Sequence, residues 1–149
     1  MDSFLVLRGI KTLHLRMQRH CENGKAIANF LKNHSKVQDV YWPGFKNHPN
    51  HVIAKKQMDN FGGMVSFNLK GNRLEDAKKV VSNNHYFTLA ESLGGVESLI
   101  GHPASMTHKA IPKEEREKTG VVDSLIRLSV GIEDIEDLLE DIKRSLNNL

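Results

Sequence analysis

The sequence predicts an α+β fold: a mostly antiparallel four-stranded sheet with helices packed on one face. Three features carry this expectation. The segments with period-two alternation are short. Helical and strand patterns follow the order α-β-α-β-α-β-β-α, which is not the strict alternation of a parallel α/β sheet. The final segment carries an apolar stripe over Ile135, Leu138, Leu139, Ile142 and Leu146, which needs a surface to cover. With 149 residues the chain is about one domain's worth.

Each element has its own signature. Ile10, Leu13, Met17, Cys21, Gly24, Ala28 and Leu31 recur at steps of three and four and predict one helix from near residue 4 to 33. It would run about 45 Å at ~1.5 Å per residue, long for a chain of this size. Gly9 and Gly24 each weaken it by up to ~1 kcal/mol unless something packs closely there. Val37, Val40 and Trp42 predict a strand that Pro43-Gly44 stops. Residues 51–58 read as a short helix. Gly62-Gly63 opens a strand over 64–69 with Val65, Phe67 and Leu69 on one side. Leu74, Ala77, Val80 and Val81 mark a helix, and Phe87 and Leu89 a third strand. Residues 101–123 read as a long loop with one helical turn over Pro112–Lys118, and a loop of that length is commonly functional. Ser124–Val130 is the fourth strand. In the last helix, acids at 133, 134, 136 and 137 suit the first turn, and Lys143 and Arg144 the last.

Composition excludes several classes. Hydrophobic residues make up 39% and charged residues 26%, ordinary for a globular chain. No apolar run reaches the ~18 residues of a membrane span, and the N-terminus lacks the basic and apolar pattern of a secretory signal. The single cysteine, Cys21, cannot form an internal disulfide. It lies on the apolar stripe of the first helix, is read as a small core residue, and fits a reducing cytoplasm. Residues 1–75 carry 12 basic and 5 acidic groups and residues 76–149 carry 9 and 13. The basic charges are scattered, without the tight runs or interleaved aromatics of a nucleic-acid site. The eight histidines lack paired metal-ligand spacing and are read as surface and loop residues, so no metal is expected.

Two features point to chemistry. Arg127 sits inside Leu-Ile-Arg-Leu-Ser-Val, and alternation puts it opposite Ile126, Leu128 and Val130. A guanidinium in an apolar strand is costly unless paired, and its flat fork matches a carboxylate. A structural salt bridge to a protein acid and a ligand carboxylate are equally consistent with that pattern. The second feature is Ala90-Glu-Ser-Leu-Gly-Gly-Val-Glu-Ser-Leu99, where glycines end a strand and allow close backbone approach; Glu91 and Ser92 stand at its lip. Turn chemistry alone also accounts for it.

Three blocks then agree in order and spacing: DSFLVLRGIKTLHLRMQRH at 2–20, AESLGGVESLIGHPASMTH at 90–108 and SLIRLSVGIEDIEDLLEDI at 124–142. Together they resemble the pyridoxal-phosphate (PLP) enzymes of cysteine and methionine metabolism, over essentially the whole chain. The text is most similar to the cystathionine γ-synthases and γ-lyases, which activate the γ-carbon of an amino acid for elimination or replacement. Methionine γ-lyases, O-acetylhomoserine sulfhydrylases and cystathionine β-lyases are the alternatives, as is a stand-alone, non-catalytic association module. The resemblance implies the small C-terminal domain of a fold-type I PLP enzyme: residues 1–33 as a long linking helix and 34–149 as the α+β domain. It implies that the large PLP-binding domain, with its Schiff-base lysine, has no counterpart here. On that reading no residue of this chain binds the cofactor, and the chain alone is inactive.

The resemblance also assigns roles. Arg127 corresponds to the arginine that grips the substrate α-carboxylate, which orients the Cα–H bond for proton removal. Ser92 corresponds to the serine beside the active-site lysine and that carboxylate. Glu91 lies where the substrate's distal end varies, and an acid there suits a second amino group. Thr107 matches a threonine near the pocket. Gly101 occupies a position that is acidic in some γ-lyases, which tilts the reading toward a synthase. The implied partners are an amino-acid substrate (cystathionine, an activated homoserine or cysteine) and further copies of the enzyme in a homo-oligomer.

Overall fold

The computed structural model describes all residues, 1–149. The N-terminal helix is two helices. α1 spans Asp2–Ile10 and α2 spans Leu13–Lys32, with a break at Lys11-Thr12. The two glycines explain why. A Cβ at Gly24 would lie 2.6 Å from the Gly62 carbonyl oxygen, so α2 is pressed onto the 62–63 backbone there. Nothing lies within 4 Å of the corresponding point at Gly9. No residue of α1 is buried, so no packing holds it in line with α2. Arg16 Nη2 donates to the Gly9 carbonyl at 2.8 Å, satisfying a group freed by the break. The expected single stripe is split accordingly. Gly24, Ala28 and Leu31 are buried, joined by Ile27, whereas Ile10, Leu13 and Met17 are exposed.

The sheet has five strands, not four: β1 (Val37–Tyr41), β2 (Met64–Leu69), β3 (Thr88–Leu89), β4 (Leu99–Gly101) and β5 (Leu125–Ser129). Their order is β1-β2-β5-β4-β3. All neighbours are antiparallel except β3 and β4, which are parallel. The additional strand is β4: the sequence pattern assigns Leu99 and Ile100 to no element and puts Gly101 at the start of the long loop. So short a segment has no period of its own, and β5 on one side and β3 on the other supply its hydrogen bonds. The remaining helices are α3 (His51–Gln57), α4 (Leu74–Ser82), α5 (Lys113–Lys118) and α6 (Ile135–Asn147), with a 3-10 turn at Pro103–Ser105.

The core lies on one face. Val65, Phe67 and Leu69 of β2, Ile126 and Leu128 of β5 and Ile100 of β4 meet Ile27 and Leu31 of α2, Val80 of α4, and Leu138, Ile142 and Leu146 of α6. All are at most 1% exposed, so each large side chain contributes about 1.5–3 kcal/mol by leaving water. Asp141, on α6, is buried and accepts backbone N–H bonds from His85, Tyr86 and Phe87 at 2.7–3.0 Å. One carboxylate thereby ties the turn before β3 to α6. No helix is long and apolar enough to cross a membrane.

Candidate active site

The face away from the helices carries the polar residues of the central strands. In the sheet register Arg127 sits between Ser66 on β2 and Gly101 on β4. Directly opposed residues share a face, so a long guanidinium is flanked by a hydroxymethyl group and by no side chain at all. That leaves Arg127 room to stand off the sheet, half-buried.

The guanidinium is held by backbone, not by an acid. Nη2 donates to the carbonyl oxygens of Glu91 at 2.8 Å and Ser92 at 3.2 Å. Arg127 takes part in none of the ion pairs of the molecule. Of the two alternatives open on sequence grounds, the salt bridge to a protein carboxylate is absent. Nε and Nη1 make no hydrogen bond to the protein.

Glu91, Thr107 and Arg127 come together around a narrow cleft with Ala90, Gly101, His102, Pro103 and Met106. Its volume is about 10 Å³, room for about one water. Ser92 stands outside the lining and reaches Arg127 only through its carbonyl. The side chains of Glu91 and Ser92 are exposed and make no hydrogen bond within the chain. The Thr107 hydroxyl lies 2.8 Å from His108 Nδ1.

The histidine expectation needs correction. His20 and His102 are buried, not on the surface. His20 Nδ1 donates to the Val130 carbonyl at 2.7 Å. His102 Nε2 donates to the Asp123 carbonyl at 2.8 Å, and its Nδ1 lies 2.7 Å from Ser105 Oγ. With Nε2 carrying the proton, Nδ1 of the neutral ring accepts from the Ser105 hydroxyl. Burial pushes the His102 pKa below its ordinary value, and the Asp123 carbonyl partly offsets this. The Asp123 carboxylate in turn binds Lys113 and the buried Arg116, and Arg116 Nη1 donates to the Val121 carbonyl at 2.8 Å. The Lys113 hydrogen bond, followed by Arg116, holds the Asp123 carboxyl below the usual carboxylate range against its burial. This network pins the segment that carries Thr107 to the start of β5. Sequence reasoning missed it, because Lys113, Arg116 and Asp123 lie in a stretch without periodicity.

Comparisons with known proteins agree on a family. The profile of the Cys/Met metabolism PLP-dependent enzymes matches residues 1–147. A cystathionine beta-lyase of Coxiella burnetii is 59% identical over 145 residues, 97% of this chain and 37% of that protein. A cystathionine gamma-lyase of Dictyostelium discoideum is 56% identical over 146 residues, 98% of this chain and 38% of that protein. Among solved structures, a cystathionine gamma synthase from Xanthomonas oryzae pv. oryzae superposes with a TM-score of 0.91 at 51% identity, over 98% of this chain and 38% of that one. The chain thus spans 37–38% of the length of these relatives. On the match over 147 residues and on these identities, the chain belongs to the Cys/Met metabolism PLP-dependent enzyme family.

Proposed function

We propose that this chain forms the carboxylate-holding part of a PLP-dependent enzyme that makes or breaks carbon–sulfur bonds at the γ-carbon, of the cystathionine γ-synthase or γ-lyase type. The observation that supports it is the Arg127 guanidinium: half-buried, flanked by Ser66 and Gly101, free of any protein carboxylate, and with Nε and Nη1 unengaged. Such a fork takes a carboxylate through two parallel hydrogen bonds. Arg127 binds the substrate α-carboxylate and so fixes the amino acid's rotation about its Cα. Ser92 stands beside that carboxylate. Glu91, at the cleft, receives the distal ammonium of a substrate such as cystathionine, and Thr107 lines the same cleft. Gly101 keeps Arg127 available: a Cβ there would be 3.7 Å from Nη2, so an acid would pair with the guanidinium and compete with the substrate.

The cofactor does not fit this chain alone. PLP supplies an electron sink when bound, but the cleft lining contains no lysine to carry it. Residues 1–33 serve as the link to a cofactor-holding part of the enzyme, and 34–149 as the domain that closes over the substrate.

A cystathionine β-lyase is the second reading, favoured by the 59% identity to the Coxiella burnetii enzyme. Product analysis separates the two. The enzyme containing this chain is given PLP and cystathionine. Cysteine with 2-oxobutanoate supports γ-carbon chemistry; homocysteine with pyruvate overturns it in favour of the β-lyase.

A further inference from the structure

The carbonyls that hold Arg127 belong to a loop whose path is set elsewhere. Residues 91–98 run beside 127–133, and the two are tied at every second loop residue. Arg127 takes the carbonyl of Ser92, with that of Glu91 beside it. Ser129 Oγ accepts from Gly94 N at 2.8 Å. Ile132 N donates to the Val96 carbonyl at 2.9 Å. Glu133 closes the series: one carboxylate oxygen accepts from Ser98 N at 2.6 Å and the other from the Ser98 hydroxyl at 2.9 Å. The same hydroxyl oxygen accepts from Gly131 N at 2.8 Å. A Cβ at Gly131 would lie 2.6 Å from Ser98 N, so only glycine lets the two backbones touch there. Glu133 is itself fixed by the buried Asn23 of α2, whose amide donates to the carbonyls of Gly131 at 3.0 Å and Glu133 at 2.9 Å.

We propose that Glu133 and Ser129 are positioning residues: they lock the register of the 91–98 loop, and thereby fix which face of the Arg127 guanidinium is pinned and which is left to bind a substrate carboxylate. The physical reason is the path of the loop. Residues 91–98 form bends, with Gly94 at φ +78°, rather than a strand with a ladder of its own. The anchors at Gly94 and Ser98 therefore fix where the loop runs, and releasing them lets the Glu91 and Ser92 carbonyls move off Nη2. Nη2 then loses its partners, the fork rotates, and Nε and Nη1 no longer present as a fixed pair. Neither residue touches the cleft. Their influence passes through the loop backbone, as outer partners orient an inner ligand group. The inference rests on the carboxylate reading of Arg127.

The test uses nuclear magnetic resonance on the full chain and its Ser129→Ala and Glu133→Gln variants. The readouts are the Arg127 Nε–H resonance, amide exchange at Gly94 and Ser98, and titration with L-norvaline as the carboxylate probe. Both variants are expected to speed exchange at Gly94 or Ser98, to move the Arg127 resonance, and to weaken norvaline about tenfold. A purely structural role would leave the Arg127 resonance and the norvaline affinity in place, and that result overturns the proposal. A parent chain that binds no norvaline overturns the carboxylate reading and this proposal with it. Parent binding with both variants unchanged overturns this proposal alone. Ser129→Ala deletes a single hydroxyl, so a misfolded Glu133→Gln variant still leaves the decision to it.

Discussion

Arg127 is exceptional for what does not accompany it. A cation on a strand is ordinarily matched by an acid, yet here two carbonyl oxygens take one nitrogen and the other two nitrogens have no hydrogen-bond partner in the protein. Lysine at this position keeps the charge but loses the planar pair of donors. Arg127→Lys is therefore expected to weaken binding of an amino-acid carboxylate about 10–100-fold, with less than about 0.5 kcal/mol lost in unfolding stability. Norvaline titration and chemical denaturation of the same sample check both halves. A large stability loss with unchanged affinity would return Arg127 to a structural role. The side of the strand on which Arg127 stands was legible from alternation alone. That Ser66 and Gly101 flank it was not, because cross-strand register joins residues 61 and 26 positions away.

At the scale of elements, Gly9 of α1 and Gly24 of α2, two glycines of one helical pattern in the sequence, take opposite roles. Gly24 is crushed against Gly62 and Gly63, while Gly9 faces open space. Gly24→Ala is expected to cost about 1–3 kcal/mol by overpacking, although alanine is the better helix former. Gly9→Ala is expected to leave the melting temperature unchanged or raise it slightly. Thermal melts of the pair decide; equal behaviour would mean that α2 does not dock on the 62–63 segment. The segment from the 3-10 turn to α5 is held by polar groups rather than by an apolar face. Its histidine makes it acid-sensitive. Burial holds the folded-state pKa of His102 below the ordinary 6.5, so the neutral ring's contribution is intact above that value. It is lost as pH falls through the lower, folded-state value. Asp123 behaves alike in a lower window: its depressed carboxyl pKa contributes stability above the ordinary 3.8 that is lost as pH falls through the folded-state value. Denaturation midpoints measured from about pH 7 to about pH 5 are expected to fall for the parent and to fall less for His102→Gln. Parallel curves would remove His102 as a source of the slope. None of this was visible in the sequence, where residues 101–123 offered only one helical turn.

At the scale of the whole molecule, one apolar face is covered by α2, α4 and α6, and the other is left polar for the cleft and its loops. On the proposed function, the arrangement makes half of a site: Arg127 is the anchor for a carboxylate, and the cleft lining holds no lysine for PLP. The chain alone is therefore expected to show no cystathionine turnover and no visible absorbance band after mixing with PLP and desalting; a retained band with turnover would contradict the division of labour proposed here. The sequence by itself determined what depends on local period and on text. Those are the inward sets Val65, Phe67, Leu69 and Ile126, Leu128, Val130, the amphipathic α6, the face of Arg127, and the resemblance carried by three separated blocks. Tertiary structure alone decided where the first helix breaks, that Leu99–Gly101 is a strand, that His20 and His102 are interior, and that no acid pairs with Arg127. The reason is physical. Period and propensity are properties of neighbours along the chain, whereas packing against a glycine, completing a three-residue strand and leaving a cation unpaired depend on groups that only folding brings together.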